Sequence, residues 1–315
     1  MQEKRRRKSG KNALPGDPLL RQNLVRSCVA LVVIAVAGLT TACQPQLLTP
    51  PGEGAVRYRD PVFSAVTKTS DIVYGSAVNQ TGTTVTLLMD VYQPTGDTVT
   101  KRPLVVWVHG GGFSGGNKTS PEIVDEATVL AKEGYVTASI SYRLSANGCS
   151  AAVPTGECIT AIKDAQHDAQ AAVRFLRSMA TTYRIDPTRI AIGGTSAGAI
   201  TALNVAYGAD DPGTSGTPGV SSAVSAAVSL SGARLGTAPN AGEPPTLLFH
   251  GTADTIVPYL WAQQTVDAAT AVGAQADLTS FQGAGHVPYG QNRTTILTQT
   301  SNFLYWTMGL LDAPR

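Results

Sequence analysis

Two hydrophobic periods alternate along the body of the chain. From Thr84 to Tyr92 polar and apolar positions alternate and β-branched residues are frequent, which predicts a half-buried strand. Leu104-Val105-Val106-Trp107-Val108 is a nearly continuous apolar run, the pattern of a strand covered on both faces. Further strands are predicted from Tyr135 to Tyr142, Arg189 to Gly193, Val224 to Leu230, Thr246 to Phe249 and Ala276 to Phe281. Between them the period lengthens. Pro121 to Lys132 reads as a helix opened by Ser120 with proline at its first position. Ile162, Ala165, Ala169, Ala172, Val173 and Leu176 fall at helical spacing within a helix expected from Ile159 to Thr182. Ala197 to Tyr207, Tyr259 to Val272 and Asn292 to Leu310 complete the set.

This β-α alternation predicts an α/β protein with a mostly parallel, doubly wound sheet and helices on both faces. There is no internal repeat, so one domain is expected over residues 67–315, preceded by a segment 43–66 that reads as a flexible tether or small N-terminal cap. Only about fourteen residues, rich in Gly, Pro and Ala, separate the strand ending near Ser231 from the one starting at Thr246. That leaves room for a minimal lid at most and predicts an open site at this edge of the sheet.

The net charge of +2 is unevenly spread. Eight of the 24 Lys and Arg residues, and only Glu3 and Asp17 of the 22 acids, fall in the first 42 residues. The remainder is therefore mildly acidic and offers no basic footprint for nucleic acid. The first 42 residues themselves read as a signal peptide: Lys4-Arg5-Arg6-Arg7-Lys8, then an apolar run from Cys28 to Leu39, shorter than the about 20 residues a spanning helix needs. Thr40-Thr41-Ala42-Cys43 follows. Cys43 after small residues suggests a bacterial lipidation site, although Leu39 stands one place too early. A membrane-anchored lipoprotein on the outer face of the cell and plain secretion both fit. Cys149 and Cys158, nine apart, are expected to form a local disulfide in an exported protein.

Two glycine-rich motifs carry the chemistry. Gly194-Thr195-Ser196-Ala197-Gly198 lies between a predicted strand and a predicted helix. A nucleophile on such a turn has strained backbone angles and needs minimal residues two places to either side, which Gly194 and Gly198 supply. No lysine follows, which argues against a phosphate loop. His109-Gly110-Gly111-Gly112-Phe113 follows a buried strand at the carboxyl edge of the sheet. Gly111 and Gly112, with Ala197, are the expected backbone donors of an oxyanion hole, and His109 and Gly110 are read as shaping that loop. Among the four histidines, His286 is the expected base, in a loop between the last strand and the last helix. His167 is expected on a helix and His250 packed at a turn. Asp254, in the loop after a buried strand, is the expected acid, in preference to Asp267 and Asp277.

These residues, with Leu88-Met89-Asp90-Val91-Tyr92-Gln93-Pro94, Ser141-Tyr142-Arg143-Leu144 and Asp186-Pro187-Thr188-Arg189-Ile190, resemble α/β-hydrolase carboxylesterases of the hormone-sensitive-lipase-like and feruloyl/acetyl-esterase-like groups. The acid departs from the hormone-sensitive-lipase pattern: it stands in His250-Gly251-Thr252-Ala253-Asp254, as in feruloyl-esterase-like and prolyl-peptidase-like relatives. The resemblance implies a serine esterase that works through an acyl-enzyme, with no metal or organic cofactor, and the scant lid favours short-chain or polymer-attached esters. The alternatives are a prolyl-oligopeptidase-like peptidase and a catalytically silent binding protein that keeps the fold.

Overall fold

A computed structural model describes residues 54–149, 155–208, 210–236 and 238–313. The expected signal peptide 1–42, Cys43 and the first part of the tether lie outside the described residues. Eight strands form one sheet: β1 (Val66–Val78), β2 (Thr84–Pro94), β3 (Arg102–Val108), β4 (Val136–Ile140), β5 (Ile185–Thr195), β6 (Ala226–Leu230), β7 (Thr246–Gly251) and β8 (Ala276–Phe281). Their spatial order is β1-β2-β4-β3-β5-β6-β7-β8. β2 runs antiparallel to both β1 and β4, and every other pair is parallel. The chain thus winds one way from β3 to β4 and the other way from β5 onward. The crevice at the carboxyl ends of β3 and β5 is where such sheets bind ligands.

β3 explains why both faces are covered. All seven of its residues are buried, and they divide by parity. Leu104, Val106 and Val108 face one core with Ala169 and Leu176 of α2 (Gly156–Ser178) and Ile200 and Leu203 of α4 (Ala197–Tyr207). Val105 and Trp107 face the other, with Leu130 of α1 (Pro121–Glu133) and Phe303 and Leu304 of α6 (Tyr289–Thr307). The short α3 (Ala180–Tyr183) leads into β5, and α5 (Tyr259–Ala271) packs beside β8.

Several boundaries differ from the sequence expectations. The helix expected from 159 to 182 begins earlier, at Gly156, because the Thr155 side chain accepts from the Cys158 amide at 3.2 Å and caps it. It breaks at Met179 before α3. The last helix starts at Tyr289, directly after Pro288, and ends at Thr307. β1, the longest strand, has no counterpart among the predicted strands. It is an edge strand with only Tyr74 and Ala77 buried, so its sequence does not carry the alternation that marks a half-buried strand.

Residues 54–65, within the segment expected as a tether or small cap, pack onto the domain. The Tyr58 amide donates to the Glu133 carbonyl at 2.7 Å and its ring is fully buried against Tyr135. Arg57 pairs with Asp97. Glu133 and Tyr135 precede β4, so this segment closes the amino-terminal edge of the parallel strands, away from the crevice. The tight chain reversal at Gly134 lets aromatic burial anchor it there.

The helix α1 buries two carboxyls. Both Glu126 oxygens lack a partner, whereas Glu133 accepts one hydrogen bond from the Ser301 hydroxyl at 2.8 Å. Burial pushes the Glu133 carboxyl up to about 8, with the Ser301 hydrogen bond opposing and Asp60 adding to it. Its folded form therefore holds a proton that the unfolded chain releases near the ordinary carboxylate value of about 4.3. The stability this supplies is complete below that value and is lost as pH rises toward 8. Glu133→Gln should make the unfolding free energy flatter between pH 5 and 8, by up to about 1.4 kcal/mol per pH unit. Urea melts of both proteins across that range check it, and parallel curves would refute it.

Candidate active site

The nucleophile position is set by close approach. Ser196 has φ 54° and ψ −116°, between the end of β5 and the start of α4. A Cβ on Gly198 would stand 2.0 Å from the Val108 carbonyl oxygen, and one on Gly194 would stand 2.5 Å from the Gly198 carbonyl. Any side chain at either place would push the helix off the sheet. The Ser196 amide donates to the Leu230 carbonyl at 2.8 Å, which ties the turn to β6.

Ser196, His286 and Asp254 form one hydrogen-bonded line. The Ser196 hydroxyl lies 2.8 Å from His286 Nε2, and His286 Nδ1 lies 2.7 Å from Asp254 Oδ2. The acid is fully buried at its side chain, whereas His286 is 20% exposed, so the line runs from interior to solvent. The other carboxylate oxygen, Oδ1, accepts from the amides of Ile256 at 2.9 Å and Val257 at 3.0 Å. The loops carrying acid and base are joined: Ala253 N donates to Ala284 O at 2.9 Å, and Val287 N to the Ser231 hydroxyl at 3.0 Å.

The loop after β3 lies against this serine. A Cβ on Gly110 would be 3.2 Å from the Ser196 Cβ. Gly111 and Gly112 have φ of 112° and 60°, which glycine alone adopts without strain. The carbonyls of Gly111, Gly112 and Phe113 accept from Gly115, Cys149 and Ser145. The amides of Gly111 and Gly112 donate to no group among the described residues, and Ala197, first in its helix, has no intrahelical acceptor. Three N–H groups are thus left free beside the nucleophile. His109 shapes the loop: its ring stacks on Tyr142 at 4.2 Å, and its Nδ1–H donates to the Gly110 carbonyl at 2.6 Å. Burial lowers its pKa to about 4, against the Gly110 hydrogen bond, so the ring is neutral near pH 7.

Cys149 and Cys158 are bonded to each other, and both line an apolar pocket of about 70 Å³ at Ser196, with Phe113, Ile200, Leu235, Ile256, Val257 and Trp261. Because the Cys149 amide holds the Gly112 carbonyl at 3.0 Å, the bridge also braces the glycine loop.

The remaining histidines and acids separate clearly. His167, on α2, pairs with Asp211 at 2.9 Å. Asp267 and Asp277 are exposed, and Asp277 accepts from the Gln275 side chain at 3.0 Å. His250 is packed at its turn as expected, yet it does more: its Nε2 stands 3.1 Å from Asp254 Oδ2 and 2.8 Å from the Val257 carbonyl. Burial lowers its pKa, with Val257 and Asp254 pulling the other way. A neutral His250 thus gives its Nε2–H to Val257 and lies against the acid. Its place four residues before Asp254 was the available signal in the sequence.

The chain matches two family models in succession, BD-FAE over residues 89–232 and the prolyl oligopeptidase family over 229–312. Acetylcholinesterase of Gallus gallus is 32% identical over 118 residues, which are 36% of this chain and 14% of that protein. Chlorogenic acid esterase of Aspergillus niger is 27% identical over 111 residues, 35% of this chain and 21% of that one. The chain therefore spans only a small part of the curated relatives it matches. By contrast, the structure of esterase 2 of Thermogutta terrifontis phosphorylated by paraoxon superimposes with a TM-score of 0.63 at 25% identity, over 79% of this chain and 96% of that one. Its propionate-bound form superimposes with a TM-score of 0.62, at 25% identity over 78% of this chain and 96% of that one. Two family models that meet at the end of β6, on a sheet shared with nearly the whole of an esterase, give this chain the α/β-hydrolase fold and liken it to carboxylesterases.

Proposed function

We propose that the protein is a serine carboxylesterase for short-chain or polymer-attached esters. The observation that carries this reading is the Ser196–His286–Asp254 line beside three unpaired amides. Ser196 attacks the ester carbonyl while His286 Nε2 takes its proton, and Asp254 steadies the resulting imidazolium. The amides of Gly111, Gly112 and Ala197 receive the oxyanion; each such donor is worth roughly 3–4 kcal/mol of barrier. His286 then protonates the leaving alcohol, and water cleaves the acyl-enzyme by the same steps. Gly194 and Gly198 hold the turn, and Gly110 and His109 the donor loop.

The small volume of the apolar pocket favours a short acyl group, and the propionate-bound relative supports the same size. Between β6 and β7 no helix covers the site among the described residues, which suits an ester on a bulky carrier. A second reading, hydrolysis of peptide-like amides, draws on the prolyl oligopeptidase match over the acid and base loops. Export is part of the proposal: the basic and apolar N-terminal pattern supports it, as does the Cys149–Cys158 bridge, which persists in oxidising compartments. Among the described residues no helix is long and apolar enough to cross a membrane. A lipid on Cys43 would supply attachment.

A nitrophenyl-ester series on the purified protein is expected to peak between acetate and hexanoate and to vanish in Ser196→Ala. A peak at long chains would sink the short-acyl reading, and cleavage of aminoacyl anilides without esters would favour the amide reading. Asp254→Asn should lower kcat by about three to four orders of magnitude, with KM little changed, because the base loses its orienting acceptor. A loss under tenfold would remove Asp254 from this role. Labelling an expressing bacterium with radioactive palmitate should mark the protein and leave Cys43→Ala unmarked; an unmarked wild type in the culture medium would decide for plain secretion.

A further inference from the structure

Three hollows meet at one side chain. Leu235 lines the apolar pocket at Ser196 and also two larger recesses beside it, of about 300 Å³ and about 200 Å³. The larger is walled by Gln166, Asn204, Tyr207, Asp211 and Arg234. Arg234 also faces the smaller recess, where Trp261 leads back to the pocket at the nucleophile. The apolar pocket is too small for a large acyl group, and past Leu235 this polar ground lies open to an extended substrate.

Arg234 is built into that ground and left unpaired. Its backbone amide donates to the Thr265 hydroxyl at 3.1 Å, and the next amide, that of Leu235, donates to Asn204 Oδ1 at 3.2 Å. The segment is therefore held on two helices, α4 and α5. The guanidinium Nε and Nη1 are buried and have no hydrogen-bond partner among the described residues. The acid whose field reaches it, Glu243, accepts from the Asn240 side-chain nitrogen on Oε1 at 3.0 Å, has its Oε2 buried without a hydrogen-bond partner, and makes no ion pair with Arg234 among the described residues. Asp211, across the larger recess, is matched already: His167 at 2.9 Å and Lys163 at 3.4 Å stand against it. The His167 contact, with a smaller share from Lys163, holds its carboxyl down at about 2. Arginine keeps its charge at any working pH, and a buried guanidinium with free donors leaves a desolvation cost that an anion in the recess would offset. Its planar fork matches a carboxylate in two parallel hydrogen bonds.

We propose that Arg234 anchors a specificity subsite for a carboxylate carried by the ester substrate, reached past Leu235 from the carbonyl bound at Ser196. The inference rests on the ester-hydrolase reading above. The carboxylate belongs either to the acyl part or to the alcohol part, and two matched pairs of substrates separate these sources. The first pair is mono-nitrophenyl glutarate against nitrophenyl pentanoate. The second is the butyrate ester of 3-hydroxypropanoate against propyl butyrate, followed by acid release.

The full chain is assayed as wild type, Arg234→Met and Arg234→Lys, and the quantity read is the ratio of kcat/KM for the charged over the neutral member. In at least one pair the wild-type ratio should exceed about ten, the range a charge-assisted hydrogen bond supplies. It should fall at least tenfold in Arg234→Met and be partly kept in Arg234→Lys; the pair that responds names the side bearing the carboxylate. A general loss of activity moves both members together and leaves the ratio, so it does not imitate the effect. Wild-type ratios of one or less in both pairs would overturn the subsite whatever the variants do, as would equal ratios in all three proteins. Failure of the neutral esters as well would instead remove the ester-hydrolase reading on which the subsite stands.

Discussion

The approach of α4 to β3 beneath Ser196 is the contact on which the site depends. Gly198 lets the helix start against the Val108 carbonyl at a distance no side chain allows, and Gly194 gives the strand end the same freedom. The helix start is thereby pressed onto the sheet and the serine is forced to a positive φ. The same contact sets the glycine loop, because Val108 leads directly into His109 and Gly110, whose backbone passes over the Ser196 Cβ. Nucleophile and oxyanion donors are two consequences of one steric constraint. The strain is tolerable because β3 and β5 are buried on both sides and paired to each other from Leu104 to Val108.

The acid and base occupy a second unit, hung on the far half of the sheet. Asp254 accepts from two backbone amides and from His286, with the His250 ring packed against it, so its carboxylate has one available orientation. Its neighbours fix the base in turn, through the Ala253–Ala284 and Ser231–Val287 hydrogen bonds. A hydrogen-bonded acid inside the protein and a base at its edge keep the imidazole in one tautomer while leaving its other nitrogen facing the serine. Orientation here comes from loops, but each loop is stitched to a strand end, which gives it the rigidity a catalytic geometry needs.

Stability and access are separated by the direction of the strands. The amino-terminal edge is closed by Tyr58, Tyr135 and the Arg57–Asp97 pair, and it tolerates a buried carboxyl at Glu133. The carboxyl edge stays open, with an apolar pocket at the serine and polar recesses beyond Leu235. Apolar walls thus stand beside polar hollows at the same edge. The disulfide at Cys149 and Cys158 borders this surface and holds the loop that carries Gly112.

By itself the sequence determined the elements whose burial is uniform or strictly periodic. β3 was legible because a strand covered on both faces must be apolar throughout, and α4 from Ala197 to Tyr207 because the glycine motif marks where it starts. The order of serine, acid and histidine, and the scarcity of residues between β6 and β7, were likewise written in the chain. Only the tertiary structure decided what depends on partners far apart in sequence. β1 is exposed along most of its length, so its pairing with β2 defines it and its composition does not. Residues 54–65 look like a linker until Tyr58 finds Tyr135. His250 is a turn residue in sequence and reaches Asp254 only when the loop folds back, and Arg234 gains its place between recesses from α4 and α5 together. Local patterns record which side chains must avoid water; the assignment of polar atoms to one another waits on three-dimensional proximity.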